Sequence, residues 1–237
     1  MIEVYICKLP AKREKATLNS LLSYVSAERQ NRVRKFMKVD DVYRSLIGNL
    51  MVRIILKERY GSSVEELEVG INAYGKPFLS GYPSFQYNIS HSGEYVVCAV
   101  HDEEVGVDIE KVGPFDLQLA MGFFTEEEYR DLLNAKEDGI HAFYDIWTLK
   151  ESYIKAIGKG LSFPLNSFNV KKHNNDSIQL TDVLIGKPIT DYICKQYMID
   201  SDYSLSVCAH QANINQFNQH LNLVSFKEIC CALCVSS

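Results

Sequence analysis

An internal echo constrains this chain more than any other feature. Gly75-Lys76-Pro77 recurs as Gly186-Lys187-Pro188, 111 residues on, and Val97-Cys98-Ala99 recurs as Val207-Cys208-Ala209, 110 residues on. Each match reads as a turn followed by a strand. Each pair of marks follows one long helical stretch, about 41–60 and then about 142–157. Nearly equal offsets predict two similar α+β halves, which we place at 1–104 and 105–210, with a tail at 211–237. The period is far too long for a solenoid. A chain of 237 residues suits one large domain or two small ones. Two packed halves leave a cleft between them, a common place for ligands.

Local patterning supports this order. Residues 2–7 alternate like a strand. Residues 12–37 read as one or two basic helices, with Ser26 an N-cap lacking the Glu of a full capping box. Asp40 or Asp41 caps a stronger helix to about Tyr60. Its apolar positions Val42, Leu46, Leu50 and Ile54 recur every fourth residue, and Gly61 ends it. Strands are expected near 66–72, 84–89, 94–100 and 105–110, and helices over 126–135 and 142–157. Gly158 and Gly160 close the last helix.

Charge narrows the partners. Lys and Arg number 25 against 30 Asp and Glu, so no bulk positive field is available for nucleic acid. A polyanion would need a local patch, and Arg29, Arg32, Arg34 and Lys35, with Arg44 beyond, are that patch. No apolar run reaches the ~18 residues of a membrane span, and Met1–Pro10 lacks a signal-peptide pattern. The expected location is the cytoplasm. Seven cysteines, an odd count, read as buried or free thiols; Cys231-x-x-Cys234 has no second pair to complete a zinc site.

Four further groups carry chemistry. In Gly106-Val107-Asp108-Ile109-Glu110, strand periodicity puts Asp108 and Glu110 on one face. Adjacent carboxylates stay ionised most easily around a cation, and all-oxygen donors suit Mg2+ or Mn2+; the plainer reading is a solvated strand edge. On the helix through Trp147, Glu151 and Lys155 form an i,i+4 pair, by spacing alone a surface ion pair worth about 0.3–0.5 kcal/mol. The lone Trp before it and Gly158-Lys159-Gly160 after it point instead to a phosphate-bearing ligand. Ser90 and His91, in Asn88-Ile89-Ser90-His91-Ser92, can donate to phosphate. A Ser-His nucleophile pair is disfavoured, because neighbours on a strand face opposite ways and no nucleophile elbow is present. Tyr74-Gly75-Lys76-Pro77 is a turn that lets backbone approach a ligand.

The order of these blocks resembles the 4′-phosphopantetheinyl transferase superfamily, in its surfactin-type branch. The run comprises Gly75-Lys76-Pro77, Asn88 to Ser92, Gly106 to Glu110, Phe123-Phe124, Trp147 to Lys155 and Gly158 to Leu161, and it spans about 2–210. The resemblance implies an α+β fold of two pseudo-twofold-related halves, each a small antiparallel sheet packed with a long helix. It implies an active site at their interface and a monomer. It implies transfer of 4′-phosphopantetheine from coenzyme A to a serine of an apo carrier protein, releasing adenosine 3′,5′-bisphosphate. The acceptors would be peptidyl carrier domains of nonribosomal peptide synthetases in antibiotic biosynthesis, or acyl carrier proteins.

The resemblance also assigns roles. Asp108, Glu110 and Glu151 would hold Mg2+, the third position being open to water or to an acid from Glu126–Glu128. Glu151 would be the general base, directly or through a water on the metal, and Lys155 would steady charge on the attacked phosphate, with Lys150 assisting. Ser90 and His91 would meet coenzyme A phosphates; Arg29, Arg32 and Arg44 would bind phosphates, including the 3′-phosphate. Tyr74, Gly75 and Lys76 would line the adenine end. Trp147 would pack rather than react. Leu161, Phe163 and Leu165 would meet the carrier. The alternatives are a non-catalytic coenzyme A or carrier-binding module and a metal-dependent phosphohydrolase.

Overall fold

The computed structural model describes residues 1–61, 67–135 and 138–234. The elements are β1 (Glu3–Lys8), α1 (Lys15–Leu22), α2 (Ala27–Val33), α3 (Val39–Tyr60), β2 (Val69–Ile71), β3 (Pro77–Leu79), β4 (Gln86–Ser92) and β5 (Tyr95–His101). Then come β6 (Val105–Lys111), α4 (Leu117–Phe123), α5 (Glu126–Asn134), α6 (Gly139–Ile157), β7 (Phe168–Asn174), β8 (Ser177–Asp182), β9 (Tyr192–Tyr197), β10 (Tyr203–His210), β11 (Asn222–Leu223) and α7 (Phe226–Ala232). The fold is α+β, with small antiparallel sheets packed against helices.

The larger sheet runs β11-β1-β5-β4 and the next β6-β10-β9. From β1 to β5, and again from β6 to β10, the chain makes a strand, a long helix, a hairpin and two strands. In each pass the first strand pairs antiparallel with the last, and the last with the one before it. Val97-Cys98-Ala99 and Val207-Cys208-Ala209 lie on the corresponding strands β5 and β10. The Gly-Lys-Pro match is different. Gly75 to Pro77 closes the β2–β3 hairpin, whereas Gly186 to Pro188 follows β8, where Pro188 bridges back to Thr181.

Strand alternation builds the layers. On β5, Val96, Cys98 and Val100 pack toward α1, α3 and α7, while Val97 and Ala99 face the other sheet. There they meet Ile2, Val4 and Ile6 near β1, Val105, Val107 and Ile109 on β6, and Leu205, Val207 and Ala209 on β10. A third core joins α6 to β7, β8, β9 and the Cys194 and Cys208 side of β9–β10. Strands covered on both faces read as continuous apolar runs, as residues 95–100 do. Gly106 sets the α6–β6 separation: a Cβ there would stand 2.0 Å from Ser152 O and 2.3 Å from Ala156 N.

Several boundaries differ from the sequence reading. Ser26 does cap α2, accepting Arg29 N–H at 3.3 Å. Helix α3 instead begins after Lys38, without a side-chain cap; Asp40 and Asp41 sit inside its first turn, where the helix dipole favours carboxylates. Strand β4 runs to Ser92, so Ser90 to Ser92, past the expected end near 89, also lie within it. The strand expected near 66–72 covers Val69–Ile71; residue 66 lies outside the described residues. The tail belongs to the first core: β11 pairs parallel with β1, and α7 buries Ile229 and Cys230, followed by Leu233. All seven cysteines are unpaired; Cys231 and Cys234 are exposed.

Candidate active site

A cleft of about 820 Å³ lies where α2, α3, β2–β3 and β4 face β6 and α6. Its chemistry starts on β6. Val105, Val107 and Ile109 point into the inter-sheet core, so Asp108 and Glu110 turn to the opposite face. Beside them β4 supplies polar side chains at every second position. Asn88 Oδ1 accepts Val107 N–H at 3.0 Å, Ser90 Oγ accepts Ile109 N–H at 3.3 Å and Ser92 Oγ accepts Lys111 N–H at 3.0 Å. These side chains take the place of a missing strand ladder and stitch the two sheets together. The two serine hydroxyls then donate onward, Ser90 to Asp108 at 2.9 Å and Ser92 to Glu110 at 2.8 Å.

Helix α6 completes the cluster. Lys155 Nζ donates to Asp108 Oδ1 at 2.5 Å and to Ser90 Oγ at 3.1 Å. Glu151 lies one turn before it and lines the same cleft. Burial, and then the Asp108 charge, push the Glu151 carboxyl above its ordinary value, and the same causes raise Glu110. Asp108 Oδ2 and Glu151 Oε1 are buried without a hydrogen-bond partner. Among the described residues no three such groups already converge as a closed metal cage. Two orphaned carboxylate oxygens in an all-oxygen set nonetheless fit a hard divalent cation, because such an ion would relieve both desolvation and mutual repulsion.

The cationic wall comes from α2 and α3. Arg29, Arg32, Arg44 and Arg53 line the cleft with Ser45 and Asn49. Arg44 donates to Gly93 O and, at 2.6 Å, to Asp41 Oδ1. Arg29 and Arg53 each have guanidinium pKa values lowered by burial and then by a neighbouring arginine, Arg32 and Arg29 respectively. Such crowding of like charge suits an anionic ligand. His91 lies at the rim. Desolvation, then the Arg44 and Lys155 cations, hold its pKa below the ordinary 6.5. Trp147 stacks on Phe143 and meets Phe123 edge-on, tying α6 to α4.

Some expected site residues are elsewhere. Lys150 is fully buried on another face of α6, its ammonium 2.8 Å from Glu128 Oε1 and donating to Leu165 O and Phe168 O. Glu128 is likewise spent, accepting Thr125 N–H and Val170 N–H; Glu126 and Glu127 are exposed on α5, and none of the three lines the cleft. Lys76 turns its ammonium inward, to Val105 O at 3.1 Å and Ala156 O at 2.8 Å. Gly75 and Pro77 line the cleft, while Tyr74 is exposed. Leu165 is core, so it offers no face to a partner. Phe163 packs against the same core, and the Leu161 side chain lies outside the description.

Comparison with known proteins decides the family. A model of the 4′-phosphopantetheinyl transferase superfamily matches residues 104–208, and one of the 4′-phosphopantetheinyl transferase N-terminal region matches 12–103. The 4′-phosphopantetheinyl transferase Sfp of Bacillus subtilis is 36% identical over 209 residues, 88% of this chain and 91% of that one. This chain belongs to the 4′-phosphopantetheinyl transferase superfamily. The transferase gsp of Aneurinibacillus migulanus is 35% identical over 231 residues, 97% of this chain and 94% of that one. Among solved structures, the holo-[acyl-carrier-protein] synthase of Thermotoga maritima aligns over 46% of this chain and 64% of that one, at 18% identity and a TM-score of 0.37.

For this member of the superfamily, sequence reasoning missed Arg53, Asn49 and the structural use of Asn88 and Ser92. Arg53 had a usable signal, an arginine inside the apolar run Leu50-Met51-Val52-Arg53-Ile54-Ile55. A charge buried at 5% exposure is usually held there by a partner, and its Nε donates to Asn49 Oδ1 at 2.9 Å.

Proposed function

We propose that this chain transfers 4′-phosphopantetheine from coenzyme A to a serine hydroxyl of an apo carrier protein. The observation that supports it most directly is one cleft that joins the Asp108, Glu110, Glu151 and Lys155 cluster to Arg29, Arg32, Arg44 and Arg53. The arginines bind and orient the phosphates of coenzyme A. Glu151, its affinity for protons raised by burial, takes the serine proton as the serine oxygen bonds to the phosphorus bearing the pantetheine. The bridging pyrophosphate bond breaks, and adenosine 3′,5′-bisphosphate leaves. Lys155 carries three donors, so it can meet a phosphate oxygen while still holding Asp108. Asp108, Glu110 and Glu151 would hold Mg2+. When bound, the ion would neutralise pyrophosphate charge.

The acceptors are peptidyl carrier domains of nonribosomal peptide synthetases, in antibiotic biosynthesis, with acyl carrier proteins as the other class. The relatives named as transferases over nine-tenths of their length support this reading. The proposal includes halves at 1–104 and 105–210 related by a pseudo-twofold, a tail at 211–237, and a monomer. The repeated strand order supports it. A cytoplasmic location accords with seven unpaired cysteines; among the described residues no helix is long and apolar enough to cross a membrane. The test is the intact mass of an apo peptidyl carrier domain incubated with the chain, coenzyme A and Mg2+. A gain of one phosphopantetheine, lost with EDTA or with the carrier serine replaced by alanine, is expected. No gain on either carrier class sinks the proposal.

A further inference from the structure

The turn at 72–77 touches the cleft on one side and the catalytic helix on the other. Gly75 and Pro77 line the cleft. Asn72 organises the turn: its Oδ1 accepts both Tyr74 N–H and Lys76 N–H at 2.9 Å. Its Nδ2 reaches out of the turn to Gly158 O, at 3.0 Å. Lys76 Nζ reaches the same place, donating to Ala156 O at 2.8 Å and to Val105 O at 3.1 Å. Two side chains of one turn therefore hold carbonyls at the C-terminal end and cap of α6 and the first residue of β6.

Those are the ends of the two elements that carry the reactive groups. Lys155 directly precedes Ala156, and Asp108 lies three residues after Val105 on the same strand. Carbonyls at a helix C-terminus lack intrahelical donors, and a cation there is favoured by the helix dipole. Gly158 fits the arrangement. Its φ is +67°, and a Cβ there would meet Lys76 Cδ at 3.0 Å and Asn72 Nδ2 at 3.1 Å. A side chain at 158 would crowd both of these side chains and strain the backbone.

We propose that Asn72 and Lys76 form a clamp that registers the cleft-lining turn against the end of α6, and that Lys76 is a positioning residue rather than a contact to coenzyme A. The inference deepens the transferase reading and rests on it: a substrate gripped along the turn is thereby indexed to Lys155 and Asp108. Small displacements of such parts cost turnover more than binding.

Asn72→Asp isolates the clamp, since a carboxylate keeps the acceptor for the turn and loses the donor to Gly158. The expected result is a kcat about tenfold lower for transfer from coenzyme A to an apo carrier, equivalent to about 1.4 kcal/mol, with KM for coenzyme A within about twofold. Lys76→Met should give a similar kcat loss, and the double variant should lose no more than the worse single one. Amide hydrogen exchange without ligand is the second readout. Residues 156–160 should exchange faster in Asn72→Asp, with 107–111 unchanged. A raised KM with intact kcat, independent multiplying losses, or unchanged exchange at 156–160 would each overturn the clamp. If Lys76→Met does not fold, Asn72→Asp decides by both readouts. Wild-type chain that transfers nothing would end the transferase reading, and the exchange comparison would still decide the clamp.

Discussion

Lys155 Nζ stands 2.5 Å from Asp108 Oδ1, joining α6 to β6 across 47 residues of sequence. The other oxygen of Asp108 is buried and unpartnered, as is one oxygen of Glu151. The cluster thus has one cation in place and room, electrostatically, for another. Replacing Asp108 with Asn should raise the Mg2+ concentration for half-maximal transfer and lower the rate at saturation. A Mg2+ titration of the variant checks this, and an unchanged midpoint would remove Asp108 from metal binding.

Glu151→Gln should lower transfer by about 10²–10⁴-fold, the usual contribution of a general base, with the unfolding midpoint nearly unchanged. A base works only when deprotonated, and without a bound cation the Glu151 carboxyl lies above the ordinary 4.5. A cation held there favours the carboxylate, so the acid limb of activity should move to lower pH as Mg2+ rises. The pH profile of kcat/KM at low and at saturating Mg2+ would show that movement; a limb independent of Mg2+ would contradict the shared role of Glu151.

Lys150 and Glu128 are a buried pair, with side chains 0% and 1% exposed. Removing one partner strands the other, at a typical cost of about 3–5 kcal/mol. Lys150→Met should show that loss in denaturant unfolding while keeping near-normal turnover per folded molecule. A turnover defect in fully folded variant would return Lys150 to the site.

Gly106→Ala should be severe, because the added methyl would overlap the backbone of Ser152 and Ala156. Overpacking against a rigid backbone costs about 1–3 kcal/mol or more. We expect a lower melting temperature together with loss of transfer, since Lys155 rides on the displaced helix.

Iodoacetamide should label two cysteines in the native chain, Cys231 and Cys234, and all seven after denaturation. The other five are buried, and burial pushes the Cys7 thiol up to about 12. Peptide mass spectrometry gives the answer directly; native labelling of Cys194 or Cys208 would contradict the third core.

The site was legible where periodicity alone decides direction. Period two on β6 separates Asp108 and Glu110 from Val107 and Ile109, and an i,i+4 spacing stacks Glu151 with Lys155. It was illegible where the partner is remote. Lys150 reads as a neighbour of Glu151, yet Glu128, 22 residues earlier, draws it to another face of α6. Lys76 reads as a free charge on a turn, yet carbonyls at 105 and 156 occupy it. Leu165 reads as a surface contact and is core.

Local sequence by itself determined the strands of residues 2–110 apart from β3, the two long helices and α5, the inward and outward sides of β6, the Val-Cys-Ala strands on which the two passes agree, and the block order that marks the superfamily. These follow from backbone geometry and side-chain alternation, which act over a few residues. Only the tertiary structure decided which polar groups face the cleft and which are consumed as internal struts. A buried ammonium or hydroxyl must find a partner, and that partner is chosen by how distant segments pack, as Asn88, Ser90 and Ser92 find the backbone of β6.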